Sequence, residues 1–461
     1  EPRALPMPEI KREPPELPSG QDGIFSDIDS AVRAAVTAQR QLDAMTLAKR
    51  YDIVDSMRRS MRENAEMLAW LAHQETGLGH YEDKIKKNLL VADKTPGPEI
   101  LRPLSYTGDR GLTLMERAPY GVIAAITPIT NPTSTIVNNA IGIISAGNSV
   151  IFNAHPGAKD CSARTIRILN QAIVAAGGPP NLITAISDPT IESAQALMRH
   201  RDIRLLLVTG GAGVVREAMG SGKKSICAGP GNPPVVVDET AVIEQAARDI
   251  VIGASFDNNI VCVLEKEILA VDSIADRLKT AMGQFGAYEI TSSEMDRLEK
   301  VIFKEKGAPR QHGAMNKDFV GKSASFILQQ IGINVGEEIK IVLVEVPQDH
   351  PLIWTEQLMP VIPITRVRSA DEGIDLAKEV EHGFGHTAVM HSRNIDNLSR
   401  MAREINTSLF IKNGPSLAGL GFGGEGFTSL SIASPTGEGL TTALTFSRER
   451  RCTLVDHFRI V

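Results

Sequence analysis

One cysteine, Cys262, closes a polar segment and precedes a predicted strand over residues 264–270. The segment 253–262 reads Gly-Ala-Ser-Phe-Asp-Asn-Asn-Ile-Val-Cys. A thiol at such a loop-to-strand junction can reach a cleft, and as a thiolate it can attack an electrophilic carbon. The chain has three further cysteines without a motif: Cys161, Cys227 and Cys452. We read these as small apolar residues and predict Cys262 to be the nucleophile.

A glycine-rich turn lies upstream of this cysteine. The apolar run 203–208 ends in Thr-Gly-Gly-Ala-Gly over residues 209–213, and a helical pattern follows. Glycines let a pyrophosphate approach backbone N–H groups at a helix N-terminus. The turn lacks the full Gly-x-Gly-x-x-Gly spacing, so a simple turn stays the alternative. We predict that Gly210 and Gly211 bind a dinucleotide.

The elements that must position these groups alternate between strands and helices. Residues 26–88 are helical in pattern, and from residue 120 short apolar runs alternate with helical segments. This pattern predicts an α/β fold with two doubly wound parallel sheets, which bind ligands at the carboxyl ends of their strands. We expect a Pro-rich arm or linker, a dinucleotide domain, a cysteine-bearing catalytic domain, and a return loop with a tail: 1–21, 22–238, 239–420 and 421–461.

Composition excludes several classes of protein. The 461 residues carry a net charge of −6, and no basic run is interleaved with aromatic residues, so we expect no nucleic-acid partner. No apolar stretch reaches the roughly 18 residues of a membrane helix. The cysteines form no Cys-x-x-Cys pair, so we predict no metal site and an intracellular, cytoplasmic location. No signal peptide is visible, and the chain begins with Glu1.

Four longer segments carry a specific likeness. They read TPITNPTSTIVNNAI, HPGAK, AGPGNPP and SFDNNIVC. With the order of turn, cysteine and Glu-Gln-Leu-Met-Pro (356–360), the chain resembles the aldehyde dehydrogenase superfamily over residues 22–461. The resemblance is greatest to the CoA-acylating propionaldehyde and acetaldehyde dehydrogenases of bacterial microcompartments, of the propanediol- or ethanolamine-utilisation type. It implies two Rossmann-like domains, an oligomerisation arm at 101–116 and a tail strand at 444–455.

The resemblance assigns catalytic roles. Cys262 would attack the aldehyde, and the Asn131 amide would hold the carbonyl oxygen with the Cys262 N–H. The alternative for Asn131 is an Asn-Pro turn. His386, within Gly-His-Thr, matches a similar motif of CoA-acylating relatives and could take the CoA thiol proton. Its alternative is a histidine that bonds backbone at a strand start.

The resemblance also implies a cofactor site. Thr127 and Pro128 open the segment that contains Asn131, and Glu356 matches a glutamate that holds the nicotinamide ribose. Where the family has Lys-Pro near the adenosine ribose, this chain has His155-Pro156. The lysine is absent, so we favour NAD; NADP stays open, with Lys159 as the nearest cation for a 2′-phosphate.

The most consequential difference from hydrolytic members is a missing carboxylate. They carry a general-base glutamate between turn and cysteine, whereas residues 226–234 read Ile-Cys-Ala-Gly-Pro-Gly-Asn-Pro-Pro. Without a base for water, the acyl group should pass to coenzyme A in a ping-pong reaction. We predict an NAD-dependent, CoA-acylating dehydrogenase, with propionaldehyde favoured. The alternatives are an acyl-phosphate reductase of the same superfamily and a non-catalytic scaffold.

The expected partners follow from the same resemblance. They are a small aldehyde, coenzyme A and further copies of the chain in a dimer or tetramer. Family members reach a microcompartment lumen through an N-terminal peptide, and the Pro-rich arm fits the linker after such a peptide. We therefore expect this location, and a contact with the compartment shell, if a peptide precedes Glu1.

Overall fold

The computed structural model describes residue 20 and residues 22–461. The predicted arm at 1–21 therefore falls outside the described residues, apart from Gly20. Within them, the helices are α1 (Ile28–Asp43), α2 (Leu47–Thr76), α3 (Tyr81–Lys94), α4 (Pro132–Ser145), α5 (Lys159–Ala175), α6 (Ile191–Arg199), α7 (Ala212–Met219), α8 (Ile243–Ser255), α9 (Asp272–Gln284), α10 (Ser292–Ile302), α11 (Ala324–Gln329), α12 (Ala370–Val380) and α13 (Ile395–Glu404).

The strands of the same region form two large parallel sheets and three small antiparallel ones. They are β1 (Ile24–Phe25), β2 (Leu104–Gly108), β3 (Gly111–Pro119), β4 (Val122–Ile126), β5 (Ser149–Asn153), β6 (Ile183–Ile186), β7 (Ile203–Thr209), β8 (Ser225–Ala228), β9 (Pro234–Val237), β10 (Glu267–Val271), β11 (Ala287–Ile290), β12 (Phe303–Glu305), β13 (Ala314–Met315), β14 (Ile341–Glu345), β15 (Val361–Val367), β16 (Thr387–His391), β17 (Leu409–Lys412), β18 (Ile432–Ala433), β19 (Gly439–Leu440) and β20 (Ser447–Val455).

The first sheet has the strand order β1-β6-β5-β4-β7-β8, with all pairs parallel. All five residues of β4 are buried, as expected for a strand that helices cover on both faces. From β4 the chain builds outward through β5 and β6, then returns to place β7 on the other side. This reversal of strand order opens a crevice at the carboxyl ends of β4 and β7.

The second sheet has the order β11-β14-β15-β10-β9-β16-β17 and is also parallel. The expected class of two Rossmann-like sheets is confirmed. One boundary differs. The sequence analysis assigns residues 235–237 to the dinucleotide domain, which it ends at residue 238. These residues lie in β9, which pairs with β10 and β16 in the second sheet. The chain therefore passes from the first sheet to the second between β8 and β9. The sequence misplaces this boundary because a short apolar strand gives no indication of which strand it pairs with.

A third sheet stands apart, in the order β2-β3-β20. The strands pair antiparallel, and β20 matches β3 over nine residues from Ser447 to Val455. The predicted arm at 101–116 and tail at 444–455 thus fold together. All of β2 and nearly all of β20 are exposed, so both edge strands offer free backbone groups.

Two local expectations need correction. The strand predicted to start at 264 begins at Glu267, and Cys262 lies in a turn before it. The segment between β11 and β14 contains short elements that the sequence analysis did not predict, namely α10, β12, β13 and α11. Within the part of the chain described, no helix is long and apolar enough to span a membrane.

Candidate active site

A cleft of about 670 Å³ lies at the carboxyl ends of β4, β5 and β7. Its lining brings together nine of the residues that the sequence analysis selected: Thr127, Pro128, Asn131, His155, Pro156, Gly210, Gly211, Cys262 and Glu356. The first seven follow three adjacent strands of the first sheet. Cys262 and Glu356 come from the second-sheet part of the chain, so the cleft forms where the two parts meet.

The loop before Cys262 adopts an unusual backbone. Asp257, Asn258 and Asn259 all have positive φ, at 48°, 52° and 64°. Asn and Asp tolerate this region better than other side-chain-bearing residues, although each such residue still costs on the order of 1 kcal/mol. Asn259 Nδ2 donates to the carbonyls of Ala254 (2.8 Å) and Glu265 (3.0 Å). The local sequence and these bonds together fix the turn that presents the thiol.

Cys262 is half-buried and lines the cleft, whereas Cys161 and Cys227 are buried and Cys452 is exposed on β20. Burial, together with the nearby Glu356 carboxylate, raises the pKa of the Cys262 thiol to about 12; Lys266 and Lys87 act in the opposite direction. The thiol is therefore protonated at rest, and the two ammonium groups favour the thiolate that attack requires.

Asn131 is the N-cap residue of α4. Its Oδ1 accepts a hydrogen bond from the Nζ of Lys87 at 2.6 Å, and its Nδ2 donates to Thr130 Oγ1 at 3.1 Å. The side-chain amide is buried to 8% exposure and still borders the cleft. One hydrogen of Nδ2 is not needed by Thr130, so the amide can donate to an oxyanion in the cleft.

The far end of the cleft fits a dinucleotide. Gly211 caps the N-terminus of α7, and a Cβ added there would meet nothing within 4 Å. Space and free backbone N–H groups thus coincide where a pyrophosphate would lie. The Oγ1 of Thr127 is buried without a partner in the described structure. When bound, NAD accepts the hydride of the reaction.

Two titratable side chains stand close to the nucleophile. Burial raises the pKa of Glu356 to about 7. Burial lowers the pKa of Lys266 to about 8, against the opposing influence of Glu356 and Cys262. The ammonium group of Lys266 donates to the backbone carbonyl of Asn259 at 2.8 Å and also to the Asn259 side chain. Lys266 therefore braces the loop that carries Cys262.

His386 is the one selected residue that does not line the cleft. It is buried and lies behind Gly231, where an added Cβ would meet the His386 ring at 2.9 Å and the Cys262 carbonyl at 3.0 Å. Its Nδ1 bonds to Thr387 Oγ1 at 2.8 Å, while Nε2 has no partner in the described structure. Burial and Lys266 lower its pKa to about 4, so the ring is neutral.

The wall where hydrolytic relatives carry a base is apolar here. Gly229 and Pro230, just after β8, line the cleft and supply no carboxylate. The carboxylates among the lining residues are Glu217 and Glu356. Glu217 lies in α7 and bonds to Gln195 at 3.2 Å. The predicted absence of a base between turn and cysteine thus corresponds to an apolar surface.

The sequence analysis missed three buried residues around the nucleophile: Lys87, Asp257 and Lys266. Lys87 and Asp257 form a buried ion pair that joins α3 to the nucleophile loop. In the sequence, only the residue types around these positions could have drawn attention to them. Asp-Asn-Asn favours left-handed backbone, and lysines three residues apart on a helix share a face. Neither signal shows that the two segments meet.

The fold and cleft together define a class of enzyme. Two parallel α/β sheets with a dinucleotide cleft and a cysteine beside it are the architecture of a thiol-dependent dehydrogenase. A family model described as the aldehyde dehydrogenase family matches residues 19–436. The chain belongs to this family.

Individual relatives are similar over nearly their whole length. The acetylating acetaldehyde dehydrogenase of Bilophila wadsworthia (strain 3_1_6) is 51% identical over 449 residues, which cover 96% of this chain and 92% of the relative. The Rhodopseudomonas palustris propionaldehyde dehydrogenase, solved with bound CoA and an acylated cysteine, is 48% identical with a TM-score of 0.92; the match covers 95% of this chain and 99% of that one.

A further solved structure is that of a propionaldehyde dehydrogenase from the Clostridium phytofermentans fucose utilisation bacterial microcompartment. It is 44% identical, has a TM-score of 0.92, and the match covers 95% of this chain and 100% of that one. The predicted family, with its CoA-acylating relatives, is confirmed by these similarities.

Proposed function

We propose that the protein is an NAD-dependent, CoA-acylating aldehyde dehydrogenase that oxidises a short-chain aldehyde through a thioester on Cys262. The observation that carries the proposal is the pairing of a half-buried thiol with an apolar wall. Gly229 and Pro230 stand where a base for water would be needed. A thioester formed there has no carboxylate on that wall to activate water, so a thiol acceptor is favoured.

The first half-reaction builds the thioester. The Cys262 thiol gives its proton to solvent in the cleft, and the thiolate attacks the aldehyde carbon, forming a C–S bond as the carbonyl electrons move to oxygen. The Asn131 Nδ2–H and the Cys262 N–H donate to this oxyanion. The oxyanion electrons then reform the carbonyl as the carbon loses a hydride; Glu356 and the glycine turn would hold the NAD that would supply the hydride acceptor.

The second half-reaction transfers the acyl group. The CoA thiol gives its proton to a base, and its thiolate attacks the thioester carbon while the Cys262 thiolate leaves. We assign the base to His386, because its ring is neutral and its Nε2 is unpaired within the described structure. The ring and the Cys262 carbonyl both lie beside Gly231, where an added Cβ would meet them at 2.9 Å and 3.0 Å.

The choice of cofactor and aldehyde is part of the proposal. Lys159, the first cation after His155-Pro156 in the sequence, donates to Asp188 at 3.0 Å and is thereby partly neutralised. This pairing supports NAD over NADP. The likeness supports a short-chain aldehyde of either length, since the Bilophila acetaldehyde dehydrogenase is 51% identical and the two solved propionaldehyde dehydrogenases are 48% and 44% identical; propionaldehyde is the substrate that we propose to test first.

We also propose that copies of the chain associate through the third sheet. Its edge strands β2 and β20 expose Leu104, Tyr106, Leu454 and Val455, with 43–61% of each residue accessible. Residence in a microcompartment lumen, and shell contact, follow the same likeness to the Clostridium enzyme. Light scattering of the chain and of a variant that ends before β20 tests the association: the intact chain should be dimeric or tetrameric and the shortened one monomeric.

The activity is tested by following NADH formation from propionaldehyde and NAD, with and without CoA. Sustained turnover only with CoA is the expected result. Equal rates without CoA would show that water accepts the acyl group, and turnover sustained by inorganic phosphate alone would indicate the acyl-phosphate reductase instead. If no NADH forms under any condition, the protein is a scaffold and the proposal fails.

A further inference from the structure

A buried chain of polar groups links the oxyanion donor to the nucleophile loop. Lys87 projects from α3 and its side chain is 5% exposed. Its Nζ donates both to Asn131 Oδ1, at 2.6 Å, and to the carboxylate of Asp257. Asp257 begins the left-handed stretch that leads to Cys262. Lys87 thus bonds both to the N-cap residue of α4 and to the loop that leads to Cys262.

The bond from Lys87 determines which way the Asn131 amide faces. A lysine ammonium has donors and no acceptor, so the amide must present its oxygen to Nζ. The NH₂ group of Asn131 then faces away from Lys87, toward Thr130 and the cleft. A cation on Oδ1 also polarises the amide and strengthens Nδ2–H as a donor. Without Lys87, a flipped amide would turn its oxygen toward the oxyanion.

The second bond fixes the distance between donor and nucleophile. Asp257 is fully buried, and its carboxylate also accepts from the His80 N–H at 2.6 Å and from Lys84 Nζ at 3.3 Å. A Cβ on Gly79 would lie 2.0 Å from Asp257 Oδ1, so glycine is required for this approach. The carboxylate is therefore clamped to α3, and Lys87 extends the clamp to Asn131.

We propose that Lys87 is a positioning residue that orients the Asn131 amide and sets its spacing from the Cys262 loop. This inference rests on the proposed function, because it requires an oxyanion in the cleft. The neighbouring Lys84 provides a matched comparison. It lies one turn earlier on α3, is equally buried and bonds to the same Asp257 oxygen, but it has no hydrogen bond to Asn131.

The test compares Lys87→Met with Lys84→Met in the CoA-dependent assay with propionaldehyde and NAD. Lys87→Met should lower kcat by about 100-fold, the loss expected when an oxyanion donor is removed. Lys84→Met should lower kcat by less than about 5-fold, since it weakens the clamp but leaves the amide oriented. The KM for NAD should change in neither. Lys87→Gln, whose amide can still donate to Asn131 Oδ1, should recover part of the loss and serves if Lys87→Met does not fold.

A double-mutant cycle with Asn131→Ala separates orientation from general destabilisation. If Lys87 acts through the amide, Lys87→Met should lower kcat by less than about 3-fold once Asn131 is alanine. Multiplicative losses, or equal losses for the two lysine variants, would overturn the inference. A wild-type protein without CoA-dependent activity would instead refute the proposed function, so the two failures are distinguishable.

Discussion

The two ends of the cleft are built by different means. At the reaction end, Cys262 and Asn131 are surrounded by buried charges, among them Lys87, Lys266 and Asp257. At the cofactor end, much of the lining is glycine, proline and aliphatic side chains, with a few polar groups such as Thr127 and His155 and open space at Gly211. The first end is fixed by charge-assisted hydrogen bonds, and the second offers mainly backbone and shape.

The difference matches what each end must do in a ping-pong reaction. The oxyanion donor and the thiol need a constant separation through both half-reactions, and preorganised buried dipoles provide it. The reduced cofactor must depart before CoA reacts. Contacts through backbone and apolar surface can be broken without leaving a charge unpaired. The residue types at the two ends therefore favour a fixed spacing of donor and thiol at the reaction end and exchange of the cofactor at the other.

Removal of the thiol should have the largest effect. Cys262→Ala should lower aldehyde oxidation by at least ~10⁴-fold, because the covalent route is lost. The affinity for NAD, measured by quenching of protein fluorescence, should be unchanged, because the cofactor end does not depend on the thiol. Cys452→Ala, on the exposed β20, is the control and should keep full activity. Retained turnover by Cys262→Ala would contradict the assignment of the nucleophile.

A change at His386 should affect one half-reaction only. In His386→Gln the first, stoichiometric burst of NADH should persist, while CoA-dependent turnover should fall by about 100-fold through loss of a general base. His391→Gln is a matched control. That residue ends β16, is also buried, and also has a pKa lowered to about 4 by burial. A burst that slows as much as turnover would show that His386 serves the fold and not the CoA step.

The sequence analysis selected residues that the fold brings together where they lie next to a strand end. Asn131, His155 and Gly210 each follow a strand of the first sheet, so their convergence is a consequence of parallel topology. It did not detect Lys87, because a lysine in a helical pattern is ordinarily exposed. Only the packing of α3 against the loop before Cys262 makes it buried and brings it to Asn131.

Two further limits are topological. The apolar pattern of β9 predicts a strand but not a partner, which is why the sheets change earlier than expected. The Gly-His-Thr motif marks His386 but does not show that its ring packs beside Gly231, outside the cleft lining. Local patterns predict elements, whereas pairing and the lines of approach between side chains are decided by tertiary packing.

A side chain at the cofactor end should have a modest and selective effect. In Gly211→Ala the added methyl group meets no protein atom within 4 Å, so folding should be unaffected. It would occupy space at the phosphate site, and we expect KM for NAD to rise about 5- to 10-fold, the scale of about 1 kcal/mol, with kcat kept. Gly283→Ala in α9, where space is also open, is the control. An unchanged KM for NAD would place the pyrophosphate elsewhere.

The smallest effect on activity is expected from a buried carboxyl that supports the reaction end. Burial raises the pKa of Glu265 to about 7 from 4.5, although Ser416 donates to it from both N–H and Oγ at 2.7 Å. Between these two pH values the unfolded chain ionises this group while the folded chain keeps its proton. This group therefore makes the protein less stable as pH rises from about 4.5 to 7, and its contribution is constant above that range.

Glu265→Gln removes this titration. Free energies of unfolding can be obtained from denaturant titrations of the wild type and the variant. Over that interval the wild type should lose about 1–3 kcal/mol more of this free energy than the variant. Activity should change less than about 2-fold, because the backbone carbonyl of Glu265 still accepts from Asn259 at 3.0 Å. Parallel pH profiles of stability would show that the carboxyl is solvated or already ionised in the folded protein. The reaction end would then be either more solvated or more highly charged than its comparison with the cofactor end assumes.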